Sequence, residues 1–299
     1  MTRKLTDIFV VPPISVLDVK QKYWKDRRKE WLRLGIQSEL GRNENLLKLS
    51  KLLQKKQKTT SIFDPVLCEI MYLWFSKEND SIIDPFAGGS VRGIVASLLN
   101  RYYTGLDIRK EQVQHNEIQA DVLCESHKPI WKKVKDGDVT ETIDAEFDFL
   151  FTCPPYYDLE KYSDQHNDIS NMNACDFETA YEEVMSCHLE SLKNNRFAAI
   201  VVGDVRDKNG HYQNFIGKTI KIFENAGLTY YNDMILLQEP ATAAMRSFNY
   251  MNSSRKIAKA HQNVLVFVKG DAVKATSRLE KFAATDSIGN DISHFFETN

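Results

Sequence analysis

The chain has 299 residues, 42% apolar, 27% charged and 11% aromatic, enough for one large core or two modest ones, and it has neither a disordered nor a fibrous composition. Its 13 Gly and 8 Pro follow no repeat, and no apolar run nears the roughly 20 residues of a membrane span, which argues against solenoid and membrane classes. The net charge of −2 hides an asymmetry: residues 1–60 carry 15 Lys and Arg against 6 Asp and Glu, a balance of +9, and the remainder stands at −11.

A positive arm on an acidic body suits a protein that meets a polyanion at one face. Within it, Trp24 and Trp31 flank the cluster Lys25-Asp26-Arg27-Arg28-Lys29. Either they stack on bases, or they pack a helix onto the body; the segment alone leaves both open. Ile8 to Leu17 is broken by Pro12 and Pro13 and lacks a small-residue cleavage site, so no secretory leader is expected. Cys68, Cys124, Cys153, Cys175 and Cys187 are odd in number and never spaced CxxC, which predicts a reducing, cytoplasmic setting without disulfides or structural zinc.

From Ser61 onward the pattern is regular. Asp64-Pro65 reads as a helix cap followed by Pro at the first helical position, opening a helix of about 12 residues. Ser81 to Asp84 reads as a strand, Val91 to Leu99 as a helix, Tyr103 to Asp107 as a strand, Lys110 to Cys124 as a helix and Trp131 to Val134 as a short strand. Phe147 to Phe151 is an apolar strand apart from Asp148, and it runs into Thr152-Cys153-Pro154-Pro155-Tyr156-Tyr157. An amphipathic helix started by Asp176 follows, then a strand at Phe197 to Val202, a helix at Phe215 to Phe223, and strands at Thr229 to Leu237 and Val264 to Val268. This alternation predicts an α/β fold with a doubly wound, mostly parallel sheet. Residues 157–175 and 239–260 read as loops, and the tail from 271 to 299 is weakly patterned.

Ligands of such sheets bind beyond the carboxyl ends of the strands, near the point where strand order reverses. Two of those ends are unusual. In Asp84-Pro85-Phe86-Ala87-Gly88-Gly89-Ser90, small residues let backbone approach a ligand at a helix start, and Asp107 stands 23 residues after Asp84, where an acid can take the hydroxyls of a ribose. Together they indicate a nucleoside-bearing cofactor; an ordinary tight turn with a surface acid is the plain alternative. In Cys153-Pro154-Pro155-Tyr156, consecutive prolines remove two N–H donors and leave carbonyls as acceptors, and the ring can stack on a planar substrate. Acceptors gripping the hydrogens of an exocyclic amino group free its lone pair for attack on a methyl group. A rigid Pro-Pro loop with a packing tyrosine is the plain alternative there.

These residues resemble a family. Asp84 to Ser90 with Asp107 is similar to motif I and the ribose acid of S-adenosylmethionine-dependent DNA amino-methyltransferases, the N4-cytosine and N6-adenine enzymes. Cys153-Pro154-Pro155-Tyr156 is similar to their (Asp/Asn/Ser)-Pro-Pro-Tyr motif IV. The resemblance covers residues 61–270 and extends to phage and prophage modification methylases; it implies a seven-stranded, Rossmann-like methyltransferase sheet behind a basic helical extension at 1–60. It implies S-adenosylmethionine held by Phe63, Asp64, Asp84, Pro85, Phe86, Ala87, Gly88, Gly89, Ser90, Asp107, Ile108 and Asp138, with catalysis by Cys153, Pro154, Pro155 and Tyr156 on a flipped base, without a metal. Double-stranded DNA is the implied partner, contacted by Tyr157, Arg206, Arg246, Arg255 and Lys256. Cys153 departs from the motif: Asp there suggests adenine and Ser cytosine, and a thiol is a weak acceptor, so the target base stays open. RNA methylation by the same fold, a silent DNA-binding member, and attack by Cys153 on cytosine C5 are the alternatives, and the oligomeric state, a homodimer included, is left open.

Overall fold

The computed structural model describes residues 11–37, 63–134, 143–157, 168–238 and 243–281. In chain order its elements are β1 (Val16–Asp18), α1 (Lys22–Arg33), α2 (Pro65–Phe75), β2 (Ser81–Asp84), α3 (Val91–Leu98), β3 (Tyr102–Asp107), α4 (Lys110–Leu123), β4 (Ile130–Lys133) and β5 (Phe147–Thr152). After a short 3-10 turn come α5 (Ala174–Glu190), β6 (Leu192–Val202), α6 (Phe215–Asn225), β7 (Leu228–Leu237), α7 (Ala243–Ser254), β8 (His261–Lys269) and α8 (Ala272–Ser277).

The strands form one sheet in the order β1-β7-β8-β6-β5-β2-β3-β4, parallel except for β8, which runs antiparallel to both β6 and β7. Strand order reverses at β2, which pairs with β3 on one side and β5 on the other. The crevice a doubly wound sheet offers to ligands therefore opens beyond Asp84 and Thr152. Two apolar clusters, one on each face, sandwich the sheet. All six residues of β5 are buried, which is why its sequence reads as a continuous run rather than an alternation. Its one charge, Asp148, is drawn to the opposite end of the sheet by Arg196 and Lys193, both at 2.9 Å, and by Ser81 Oγ at 3.0 Å.

The eighth strand is a difference from the expected seven, and it comes from the basic segment. Val16 to Asp18 adds to the sheet edge in register with Ile235 to Leu237. The following α1 packs on α2, with Trp24 and Trp31 at 1% and 0% exposure. Trp31 Nε1 donates to Glu69 at 2.6 Å, Trp24 Nε1 donates to Asp64 at 3.1 Å, and Arg27 makes a two-pronged pair with the buried Glu69. The two tryptophans pack rather than stack on bases. Removing Glu69 would leave the buried guanidinium with only the more exposed Glu30, at 2.8 Å, as its carboxylate partner.

Two local expectations also differ. Asn173, not Asp176, caps α5, its side-chain oxygen taking the N–H groups of Cys175 and Asp176 at 3.0 and 3.1 Å, while Asp176 sits in the first turn beside the positive helix end. The segment expected as a loop over 239–260 contains α7, on which Phe248, Tyr250 and Met251 are exposed and so give no core-facing period to detect.

Candidate active site

The Asp84 carboxylate is fully buried and organises its own turn. Oδ2 accepts from Arg92 Nε at 2.5 Å and from the Tyr103 hydroxyl at 2.6 Å; Oδ1 accepts from Thr152 Oγ1 at 2.6 Å and from the backbone of Phe86 at 3.2 Å. Arg92 in turn donates to the carbonyls of Phe86 and Ala87 and lies 4.5 Å from the centre of the Phe63 ring. Burial opposes the charge on Arg92, but Asp84, then Tyr103 and Cys153, outweigh it and hold the guanidinium ionised above its usual range. One buried ion pair thus joins the turn after β2, the start of β3 and the end of β5. Asp84, expected to touch a cofactor, spends its carboxylate acceptor sites on the scaffold.

What the turn leaves open is Phe86, Gly88 and Gly89, half-buried at the start of α3, while Pro85, Ala87 and Ser90 are buried. Gly88 has φ of 54°, a left-handed conformation that suits glycine. Gly105 on β3 lets the turn lie close: a Cβ there would stand 2.7 Å from that of Ala87. Ser90 hydrogen-bonds Gln119 at 2.8 Å, and Asp64 caps α2 through Val66 N at 2.9 Å while holding Trp24. These two, like Asp84, serve the scaffold with the atoms expected to face a ligand.

Asp107 is half-buried at the end of β3. Its Oδ1 accepts from the backbone N–H of Arg109 at 2.8 Å, and Arg109 Nε lies 3.3 Å from the same oxygen. From Arg109 a chain of hydrogen bonds runs through Gln112 (3.1 Å) and Asn116 (2.9 Å) to the carbonyl of Gly88 (2.8 Å). Sequence reading passed over Gln112, Asn116 and Gln119. Their signal was polar residues at i, i+4 and i+7 on a helix face that ought to be apolar. Ile108 is half-buried beside Asp107, and Asp138 lies outside the described residues.

On the other side of the switch point, Cys153, Pro155 and Tyr156 are half-buried and Pro154 is buried. Cys153 Sγ lies 3.6 Å from the Tyr156 hydroxyl, which accepts from Gln262 Nε2 at 2.6 Å; Gln262 Oε1 accepts from Gln238 Nε2 at 2.6 Å. Gln262 was missed because nothing local marks it: its role exists only once β8 is laid beside β6. The ring of Tyr156 meets Phe215 edge-on at 6.1 Å, and Phe86 tilts onto Tyr181 at 6.2 Å, with Tyr181 and Phe215 5.1 Å apart. The two turns therefore stand on one aromatic floor.

Tyr157, expected as a nucleic-acid contact, is placed in the interior. It has φ of 49° and is 3% exposed, its ring stacks on Phe177 at 4.4 Å and its hydroxyl donates to Glu178 at 3.0 Å, so it belongs to that floor and not to a nucleic-acid surface. Burial and then Glu178 push its phenol well above the usual value. Arg206 is exposed over the Tyr212 ring at 3.8 Å, Arg255 is exposed, and Lys256 lies half-buried against Gly210. Arg246 belongs to α7, and its side chain lies outside the described residues. Among the described residues no group of three His, Cys, Asp or Glu could hold a metal ion, and no helix is long and apolar enough to cross a membrane.

Strand order, the antiparallel β8 and the helices on both faces define a Rossmann-like α/β protein with a ligand crevice at β2 and β5. Residues 15–118 match a family model described as DNA methylase, the N6/N4 group, which supports a methyltransferase and the resemblance carried by motif I. No curated protein matches the chain. Solved structures with a similar fold include TrmN from Thermus thermophilus, at 12% identity over 69% of this chain and 49% of that one, with a TM-score of 0.45. This chain thus spans about half the length of TrmN. Magnesium protoporphyrin IX methyltransferase from Synechocystis PCC 6803 with bound SAH is similar at 10% identity, 74% and 89% coverage and a TM-score of 0.48. A methyltransferase from Pyrococcus furiosus is similar at 13% identity, 75% and 89% coverage and 0.46.

Proposed function

We propose that the protein transfers a methyl group from S-adenosylmethionine to an exocyclic amino group, adenine N6 or cytosine N4, of a base flipped from double-stranded DNA. The observation that carries this reading is the meeting of the two turns: the glycine turn after β2 and the Pro-Pro-Tyr turn after β5 flank the switch point over one aromatic floor.

The donor set fits the cofactor. Half-buried backbone at Gly88 and Gly89, a carboxylate at Asp107 with free acceptor capacity, and the Phe63 ring over Arg92 suit a molecule with a ribose diol and a charged tail. When bound, S-adenosylmethionine supplies an electrophilic methyl group on a sulfonium centre. Asp107 would hold the ribose, and the chain from Arg109 to Gly88 keeps that acid in step with the turn. On the substrate side the ring of Tyr156 would stack on the base while Gln262 fixes the hydroxyl, so the ring is oriented before the base arrives. The carbonyl of Pro154 would accept from the amino hydrogens. Cys153 adds little as an acceptor, and the amino group grips backbone instead.

The test is transfer of labelled methyl from S-adenosylmethionine to duplex DNA, with DNase or RNase treatment of the substrate beforehand. Label lost with DNase and kept with RNase is the expected result. The reverse pattern would assign the chain to RNA, and no transfer with cofactor binding intact would make it a silent member of the fold.

A further inference from the structure

The excursion between β7 and β8 leaves the sheet at the end that carries the Pro-Pro-Tyr turn. Gln238 N donates to Ala260 O at 3.0 Å, and Gln262, two residues on, is the one that grips Tyr156. On this excursion α7 holds Phe248 out to solvent at 76% exposure, with Tyr250 and Met251 at 39% each, and Ile257 follows at 71%. A single exposed apolar side chain is ordinary; four within ten residues beside a ligand crevice mark a contact surface.

What covers this surface follows from its charge. From Pro240 to Gln262 the chain carries Arg246, Arg255, Lys256 and Lys259 and no Asp or Glu, within a body whose residues after 60 sum to −11. Aromatic and aliphatic side chains among cations fit a partner with planar apolar faces inside an anionic envelope, which is the description of nucleic acid. The helix end is also fixed firmly. Arg255 N bonds to Met251 O and Lys256 N to Tyr250 O, closing the last turn with Arg255 at φ of 55°, where glycine is the ordinary occupant. A cation is thereby held just past the helix end, seven residues after Phe248.

We propose that α7 is the wedge that opens the duplex, with Phe248 entering the base stack at the step from which the target base is withdrawn and Arg255 set against a flanking phosphate. This rests on the DNA-methylase reading above. Withdrawing a base leaves a gap in the stack, and an apolar side chain that fills it lowers the cost of keeping the base out. Phe248 makes no demand on the core, so its substitution leaves the fold intact.

The experiment compares wild type, Phe248→Ala and Phe248→Trp on two duplexes carrying a sequence the wild type modifies. In one the target base is paired; in the other it faces an abasic site and is already loosened. Phe248→Ala is expected to lower kcat/KM about tenfold or more on the paired duplex and less than about twofold on the abasic one, with Phe248→Trp recovering most of the loss. Equal losses on both duplexes, or none on either, would overturn the wedge. So would light scattering that shows a wild-type dimer and a monomeric Phe248→Ala with no duplex-dependent loss, because the patch would then be an interface between copies. Wild type that methylates neither duplex, nor any other DNA, would refute the DNA-methylase reading itself.

Discussion

The two sides of the crevice are built on opposite principles. On the cofactor side, around β2 and β3, nearly every polar atom is consumed internally: Asp84 by Arg92, Tyr103 and Thr152, Ser90 by Gln119, Asn116 by Gly88. On the other side, beyond β5, β6 and β7, anchored side chains alternate with projecting ones: Gln262 and Val201 hold the Tyr156 hydroxyl, Arg206 lies over Tyr212 and donates to the carbonyl of Gly210, and Phe248 stands 76% exposed. A small ligand of fixed shape is served by a closed network that presents backbone and one acid. Projecting rings and cations are what the proposed long, deformable nucleic-acid substrate would require.

Breaking the closed side should have the largest effect. Asp84→Ala leaves Arg92 buried and unpaired, and it is expected to lose about 3–5 kcal/mol of stability in denaturant unfolding, with cofactor binding lost alongside. A variant as stable as the wild type would show that the buried pair does not organise the turn. Next, Tyr156→Ala should lower turnover about a hundredfold while calorimetry finds cofactor affinity within about threefold, as expected of a ring proposed to act on the substrate only. Asp107→Ala should do the converse, weakening cofactor binding about 10- to 100-fold, the worth of charge-assisted hydrogen bonds. If both variants weakened cofactor binding alike, the division between the two sides would fail. Gln262→Leu, which removes the 2.6 Å bond to Tyr156 together with the one from Gln238, should lower kcat by about fivefold to tenfold without moving the cofactor constant.

The smallest expected effect lies at the far end of the sheet. Burial alone would raise the Asp148 carboxyl, but Lys193, Ser81 and Arg196 reverse that and hold it at about 2. A carboxyl lowered on folding stabilises the native state above its unfolded value of about 4, and the contribution fades as pH falls from there toward 2. Asp148→Asn should flatten that part of the acid unfolding curve and leave methyl transfer at neutral pH unchanged.

Chemistry was easier to read from the chain than was the assignment of individual atoms. The strand–turn–helix alternation from Ser81 to Cys124 and the two turns were legible because their periods and their Gly and Pro residues act locally. β1 was not, since three residues are too few for a period, and α7 was not, since its Phe248, Tyr250 and Met251 face water. Motif letters say which residue stands in a turn but not where its oxygens are spent: Asp84, Asp64 and Ser90 turned inward, Tyr157 joined the floor, and Gln262, 106 residues from Tyr156, carried no local mark. Trp24 and Trp31 were ambiguous for the same reason, until Glu69 and Asp64 supplied their partners.

In the proposed reaction the methyl acceptor is the amino group of a base that stacks on Tyr156, with the carbonyl of Pro154 accepting from its hydrogens. Its most direct test is mass spectrometry of the nucleosides released from duplex DNA after reaction with the protein and labelled S-adenosylmethionine. A single product, N6-methyladenine or N4-methylcytosine, is expected. Label in 5-methylcytosine would overturn amino-group transfer, because it would make Cys153 a nucleophile and the Pro-Pro-Tyr turn a holder of ring carbon chemistry instead of an amino group.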